Sequence, residues 1–323
     1  VAAHFAQVII VLNTTNIIDM SWLETIAGKE SIKAVLYSWA AGMEGGHALA
    51  DVLTGAVSPS GRLTDTIAYR LADCPSSANF GSPEFNCYAE DIYVGYRYFE
   101  TFKPAAVQYP FGAGLSYTRF ERESVCLTTE GIGAGKLLHF DVTVRNAGTE
   151  YAGKEVVQLY CEAPQGRLGK PVRTLAGFAK TATLQPGAAE TMRIVIPLKS
   201  LASYDDSGAT GNRSCYVLEA GEYRFYVGGS VRDAQPIDTT VALEELVVTE
   251  TLSEALAPVR AFDRIKPGAC QTDGTYEETF EPVPRRTVDL AVRIQSRLPS
   301  TFELTGDQGI RLADVQAGTA TME

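Results

Sequence analysis

No apolar run in this 323-residue sequence approaches the ~18 residues that a membrane-spanning helix needs. Basic charge is scarce as well: Lys and Arg total 28 against 39 Asp and Glu, a formal net charge of −11. Such a surface repels phosphate backbones and anionic lipid, which argues against nucleic acid and membranes as partners. The six cysteines (Cys74, Cys87, Cys126, Cys161, Cys215 and Cys270) form neither a CxxC pair nor a dense framework. That usage suits reduced thiols in a cytoplasm. Histidine is limited to His4, His47 and His139, none with a Cys or carboxylate at ligand spacing, so no metal is expected. The opening VAAHFAQVIIVLN is apolar, yet it lacks a basic n-region and a small-residue cleavage site. It is expected to be a buried element and not a signal peptide. Asn13-Thr14-Thr15 and Asn212-Arg213-Ser214 fit the glycosylation pattern but have no secretory context.

What is present describes an ordinary globular protein, with 45% apolar and 21% charged residues. The length suits two domains plus an extension. Residues 7–12 (QVIIVL) form a β-branched run, the mark of a strand covered on both faces. Residues 22–27 suit a short helix, 31–39 (SIKAVLYSW) a second buried strand, and 45–53 a helix with Ala48, Leu49, Val52 and Leu53 on one face. Strand, crossover, strand, helix is the order of a doubly wound α/β unit. So few strands cannot close a parallel sheet's core, so the chain is expected to begin inside a domain.

From about Glu121 the period changes to two. Leu138, Phe140, Val142 and Val144 alternate with polar residues, Asn146-Ala147-Gly148 makes a turn, and Met192, Ile194 and Ile196 then Tyr223, Phe225 and Val227 follow. Short alternating strands between turns such as Pro186-Gly187 describe an antiparallel β-sandwich. Beyond Thr249 the prolines Pro258, Pro267, Pro282, Pro284 and Pro299 argue against long helices, and an extended linker is expected.

Several weaker signals dissolve on inspection. Residues 131–136 (GIGAGK) look like a phosphate loop, but an alternating strand follows where a helix N-terminus is required. A hairpin turn is expected there. Glu44 among Gly42, Gly45 and Gly46 would repel a phosphate. Ser116 lacks the GxSxG elbow and any evident His and Asp support. Cys161, in a β-like run after Leu159-Tyr160, is expected to be a small core hydrophobe.

Two stretches carry a family resemblance. Residues 42–66, GMEGGHALADVLTGAVSPSGRLTDT, and 88–118, YAEDIYVGYRYFETFKPAAVQYPFGAGLSYT, resemble the second half of the α/β-sandwich domain of family 3 glycoside hydrolases. Residues around VRNAGTEYAGKEVVQLY, RTLAGFAKTATLQPGAAE and EAGEYRFYVGGS resemble the fibronectin type III-like domain that trails it in that family. The end, LPSTFELTGDQGIRLADVQAGTATME, resembles the lead-in to the catalytic barrel in the subgroup whose domain order is reversed. The resemblance therefore implies three parts: 1–120 from the α/β domain, 121–250 fibronectin-like, and 251–323 a linker toward a barrel lying C-terminal to the segment. It also implies a β-glucoside or oligosaccharide substrate, retaining hydrolysis and no cofactor. Family 3 enzymes carry an Asp nucleophile on the barrel and an acid/base Glu in a loop ahead of the strand resembled by VIIVLN. Both fall outside this sequence, so no residue here is carried over as catalytic.

Three side chains remain as substrate-binding candidates. Trp39 ends a strand and Glu44 opens a helix, at the carboxyl ends of strands where α/β sheets bind ligands. There Trp39 could stack on a sugar and Glu44 could bond a hydroxyl. The plainer alternatives are a core tryptophan and a carboxylate complementing the helix dipole. Glu90 precedes Val94-Gly95-Tyr96-Arg97, and an internal ion pair with Arg97 is the expected arrangement, with ligand contact as the alternative. The rival to an enzyme fragment is a non-enzymatic β-sandwich module that binds carbohydrate or a partner protein. Exposed aromatics in a row on one sheet face would favour it.

Overall fold

A computed structural model describes residues 1–253, 258 and 260–286. Two compact units divide the chain: Val1–Leu252 with Arg260–Pro284, and Ser253–Val259 with Arg285–Glu323. Everything below lies in the first. The stretch from Leu298 expected to lead toward a barrel lies outside the described residues.

The fold is an α/β segment followed by an all-β sandwich. Strand β1 (Val8–Leu12) pairs in parallel with β2 (Ile32–Tyr37), with helix α1 (Trp22–Thr25) in the crossover and α2 (Gly45–Thr54) after it. The short strands β3 (Ile67–Ala68) and β4 (Val107–Tyr109) pair antiparallel, with helix α3 (Tyr96–Phe102) between them in sequence. The expectation that β1 is covered on both faces is not met. Its burial alternates, and Ile9 and Val11 are 51% and 37% exposed. A β-branched run reports the propensity to be a strand; burial depends on what packs against it, and among the described residues β2 is its one sheet partner.

The sandwich sets β5 (Phe120–Glu130), β6 (Leu137–Asn146) and β9 (Ala189–Pro197) in one sheet. The facing sheet contains β7 (Val156–Glu162), β8 (Thr174–Lys180), β12 (Gly221–Gly228), β13 (Gln235–Pro236) and β14 (Val241–Leu243). A smaller third sheet joins β10 (Ser203–Asp205), β11 (Cys215–Leu218) and β15 (Val247–Thr251). The period of two explains the core directly. Leu138, Phe140, Val142 and Val144 of β6 are fully buried and meet Tyr223, Phe225 and Val227 of β12 in one cluster. Phe140 and Phe225 sit with ring centroids 4.9 Å apart, and burying each such ring contributes about 1.5–3 kcal/mol. Residues 131–136 are the β5–β6 hairpin connection, with Gly131 and Gly133 at positive φ. Asn146 is buried with its amide fully used: it donates to Tyr151 O and Leu184 O and accepts from Gly148 N and Thr118 Oγ1. Cys161 packs in this core, and burial, with the nearby Glu162 charge, pushes its thiol up to about 12, which leaves it unreactive.

Asp205 ends β10 with no solvent exposure and holds the loop that follows. Its carboxylate accepts from the backbone N–H of Ser207, Gly208, Ala209 and Thr210 and from the hydroxyls of Ser207 and Thr210. Burial works against the charge, but these donors outweigh it and hold the carboxyl below the ordinary 3.8. In the window below that value the unfolded chain binds more protons, so Asp205 stabilises the fold above about pH 4 and loses its effect as the pH falls. Asp205→Asn is expected to flatten this acid limb and cost roughly 1–3 kcal/mol at neutral pH. Thermal melts of both proteins across the acid range check it, and parallel curves would refute the assignment.

The segment beyond Thr249, expected to be an extended linker, contains a hairpin of β16 (Asp263–Cys270) and β17 (Tyr276–Pro282). Pro267 and Pro282 are tolerated because a two-stranded ribbon has an open edge on each strand. Ile265, 4% exposed, shares a buried cluster with Tyr93, Tyr98, Phe99 and Val107. Tyr98 donates its hydroxyl to Glu278 at 2.8 Å, and Lys103 pairs with the same carboxylate at 3.1 Å. The hairpin is thereby pinned to α3.

Candidate functional site

At the carboxyl ends of β1 and β2, Ser38 N donates to Leu12 O at 2.8 Å, which extends the pairing by one residue. The chain then turns at Trp39, whose φ of 52° is left-handed. A bulky residue there stores about 1–3 kcal/mol of strain. The indole lies 4.4 Å from the Tyr37 ring at an interplanar angle of 42°, and Tyr37 is tethered through its hydroxyl to Asn16 O. Trp39 is thus half-buried at the strand end, not enclosed in a core. Glu44 is the N-cap residue of α2 but makes no side-chain cap bond. Its carboxylate lies 2.7 Å from His47 Nδ1 one turn on, with both side chains more than four-fifths exposed (82% and 88%).

Glu90 departs from its expected pairing. Arg97 makes no ion pair with it; the guanidinium lies over the Tyr96 ring at 6.0 Å. The reason is local geometry, since Gly95 takes φ 57° and ψ −130°, a conformation open to glycine, and restarts the chain as α3. Glu90 Oε2 is shielded from solvent and has no hydrogen-bond partner. The ion pair in this turn belongs to its neighbour: Asp91 faces Arg264 of β16 at 3.3 Å. Among the described residues no hydrogen bond or ring contact joins the three candidates to one another: Trp39 meets Tyr37, Glu44 meets His47, and Glu90 stands in a separate turn.

The aromatic cluster between these turns and the sandwich is structural. Tyr96 stacks on Phe111 at 4.6 Å and meets the buried Tyr160 edge-on at 6.1 Å. Tyr96 OH accepts from Leu175 N, and Phe111 O accepts from Val231 N. Gly112, at φ 82°, follows directly, where a Cβ would strike the Gln158 carboxamide. Beside it Arg62 reaches across to the buried Glu155 at 2.5 Å. Burial pushes the Glu155 carboxyl up, and Arg62 opposes it. These contacts fasten the α/β segment to the sandwich. Sequence reading missed the pairs Arg62–Glu155 and Asp91–Arg264, whose members lie 93 and more than 150 residues apart. The one signal available for Arg264 was the Asp273-Gly274 dipeptide, which marks a hairpin.

A cleft of about 360 Å³ at the sandwich edge is lined by Phe120, Val125, Val227 and Ile237 with Glu121 and Arg122 at its rim. Its charges are already committed, Glu121 to Arg145 and Arg122 to Asp233. It contains none of the three candidates. Among the described residues no group of His, Cys, Asp and Glu could hold a metal ion, and no helix is long and apolar enough to cross a membrane.

An α/β segment fastened to a fibronectin-like sandwich is the class that the fold defines. Residues 1–117 belong to the C-terminal domain of glycosyl hydrolase family 3, and residues 155–231 to the fibronectin type III-like domain. The chain is 45% identical over 321 residues to a β-glucosidase of Ruminococcus albus, covering 99% of this chain and 32% of that protein. It matches the crystal structure of a β-glucosidase from Paenibacillus barengoltzii with a TM-score of 0.89 and 53% identity, over 99% of this chain and 35% of the other. β-Glucosidase 3B from Thermotoga neapolitana, solved with α-D-glucose, matches with a TM-score of 0.64 and 37% identity over 76% and 32% of the two chains. The chain therefore spans about a third of the length of these relatives.

Proposed function

We propose that this chain is part of a retaining β-glucosidase that hydrolyses terminal β-D-glucosides in carbohydrate metabolism. The observation that carries this is the match to the Ruminococcus albus enzyme across 99% of the chain, through both domains and the hairpin region alike. In this reading residues 1–120, 121–250 and 251–323 are the end of the α/β domain, the fibronectin-like domain and the linker. The domain order is the reversed one, and the catalytic barrel follows. Retaining hydrolysis uses two carboxylates about 5–5.5 Å apart and needs no cofactor. Both belong to the parts of the enzyme outside this segment. Trp39 stacks on the sugar, Glu44 accepts a hydrogen bond from a hydroxyl, and Glu90 lines the cleft. The six free thiols support a reducing compartment such as the cytoplasm.

The test is to express the complete polypeptide encoded around this segment. It is expected to cleave an aryl β-glucoside and release β-glucose first, seen by NMR before mutarotation. No turnover, or initial release of α-glucose, would overturn the reading.

One observation favours the second reading, a carbohydrate-binding β-sandwich module. Tyr204 and Tyr216 stand on the third sheet 36% and 37% exposed, with ring centroids 5.2 Å apart. They are directly opposite in register, however, which is the arrangement that stabilises strand pairing by itself. It ranks second for that reason.

A further inference from the structure

Between residues 1 and 57 a single side chain, Met20, is buried. That stretch holds β1, α1, β2 and α2, and none of the four contains a buried residue. The sandwich of the same chain is closed, with Leu138, Phe140, Val142 and Val144 of β6 at 0% exposure. Composition does not explain the contrast. Every residue of β1 is apolar, whereas β6 alternates apolar with polar, yet it is Ile9 and Val11 that stand in solvent.

The exposed groups form a pattern. In the parallel register Ile9 lies beside Ala34 and Val11 beside Leu36, so the ribbon presents one apolar face. On α2, Leu49, Val52 and Leu53 share one side, and Leu53 is 42% exposed. Parallel strands occur almost only where both faces are covered, and a two-stranded ribbon is marginal in water. Among the described residues β1 pairs with β2 alone, which leaves its other edge open. The exposed Lys33 on β2 is the kind of charge that guards a true sheet edge; β1 has none. An uncharged face of this kind suits a permanent contact rather than a transient one. Length says what makes that contact. The chain aligns over 99% of itself yet spans 32% and 35% of two β-glucosidase relatives, so two thirds of such a polypeptide lies outside it.

We propose that Ile9, Val11 and the Leu49–Leu53 side of α2 are a docking face for the rest of the same polypeptide, which lays a strand along the open edge of β1 and an apolar layer over the ribbon. This rests on the reading of the chain as part of a longer enzyme. The β-branched run then has in the complete protein the double cover that its sequence calls for.

The test compares hydrogen exchange of the 323-residue chain with that of the complete polypeptide encoded around it. Amides of residues 8–12 and 45–54 are expected to exchange about a hundredfold more slowly in the complete polypeptide, while those of 137–146 in the sandwich stay within about threefold. Ile9→Lys and Val11→Lys should leave the melting of the isolated chain unchanged and lower that of the complete polypeptide by several degrees. Val195→Lys, on the exposed side of β9, is the control and should be silent in both. Exchange at 8–12 that stays as fast in the complete polypeptide overturns the proposal, as does an Ile9→Lys variant that melts like its parent there. A second copy is the rival occupant. In that case the 323-residue chain dimerises on concentration, seen by sedimentation, and gains the protection by itself, which also overturns the proposal. Neither readout uses turnover, so a complete polypeptide that protects the face but cleaves no glucoside overturns the enzyme reading alone.

Discussion

The isolated 323-residue chain is expected to show no turnover of an aryl β-glucoside. Retaining hydrolysis needs a nucleophile and an acid/base facing each other across the scissile bond. The family resemblance assigns the first to a barrel and the second to a loop ahead of β1. The candidates in this chain are binding groups only in the proposed reading: the Trp39 indole, the exposed Glu44 carboxylate paired with His47, and the shielded Glu90 carboxylate. Removing the reacting groups of an enzyme typically costs about 10⁶-fold in rate, far more than losing any binding residue. The measurement is a long incubation of the purified chain beside the complete enzyme at equal molarity. Activity that co-purifies with the chain and survives removal of contaminating hydrolases would mean that a catalytic pair lies inside it.

The sandwich was legible because one rule generates it. Alternation along Leu138, Phe140, Val142 and Val144 specifies which face is buried, and Tyr223, Phe225 and Val227 specify the opposing one. Parallel β1 and β2 were equally legible as strands. The partial exposure of β1 accords with the other expectation, that so few strands cannot close a parallel sheet's core. The hairpin was hidden by composition: five prolines among charges suggest a linker, although the Asp273-Gly274 dipeptide among them is a hairpin turn signal. At the candidate site the limit is one of distance in sequence. Glu90 and Arg97 are close enough to invite pairing, yet Gly95 redirects the chain between them. Arg264 instead gathers Asp91, Asp206 and Glu281, carboxylates from three separate elements. No periodicity or spacing announces such a meeting, since it follows from the tertiary packing of Ile265 beside it.

Glu219→Ala is expected to be the most destabilising single substitution of a charged residue in the sandwich. Glu219 follows β11 and pairs with Lys170, with side chains 6% and 5% exposed. It also accepts from Arg167 N at 2.6 Å and Leu168 N at 3.4 Å, so one carboxylate organises the loop that carries Lys170. Burial lowers the Lys170 pKa and Glu219 opposes that shift, which shows how much the ammonium depends on its partner. Without Glu219, Lys170 keeps a contact to Gln165 O at 3.4 Å, and the two N–H groups lose their acceptor. Removing one member of a buried pair costs about 3–5 kcal/mol, because the survivor stays desolvated and unpaired. In a domain of this size that corresponds to a fall in Tm of roughly 10 °C. The double variant Lys170→Met with Glu219→Leu removes the stranded charge and should recover most of the loss, leaving roughly 1–2 kcal/mol for the unpaired N–H groups. Denaturant unfolding of the two variants and the parent chain decides it. A Glu219→Ala protein within about 1 kcal/mol of the parent would mean that water reaches Lys170 and that the pair carries little of the loop's order.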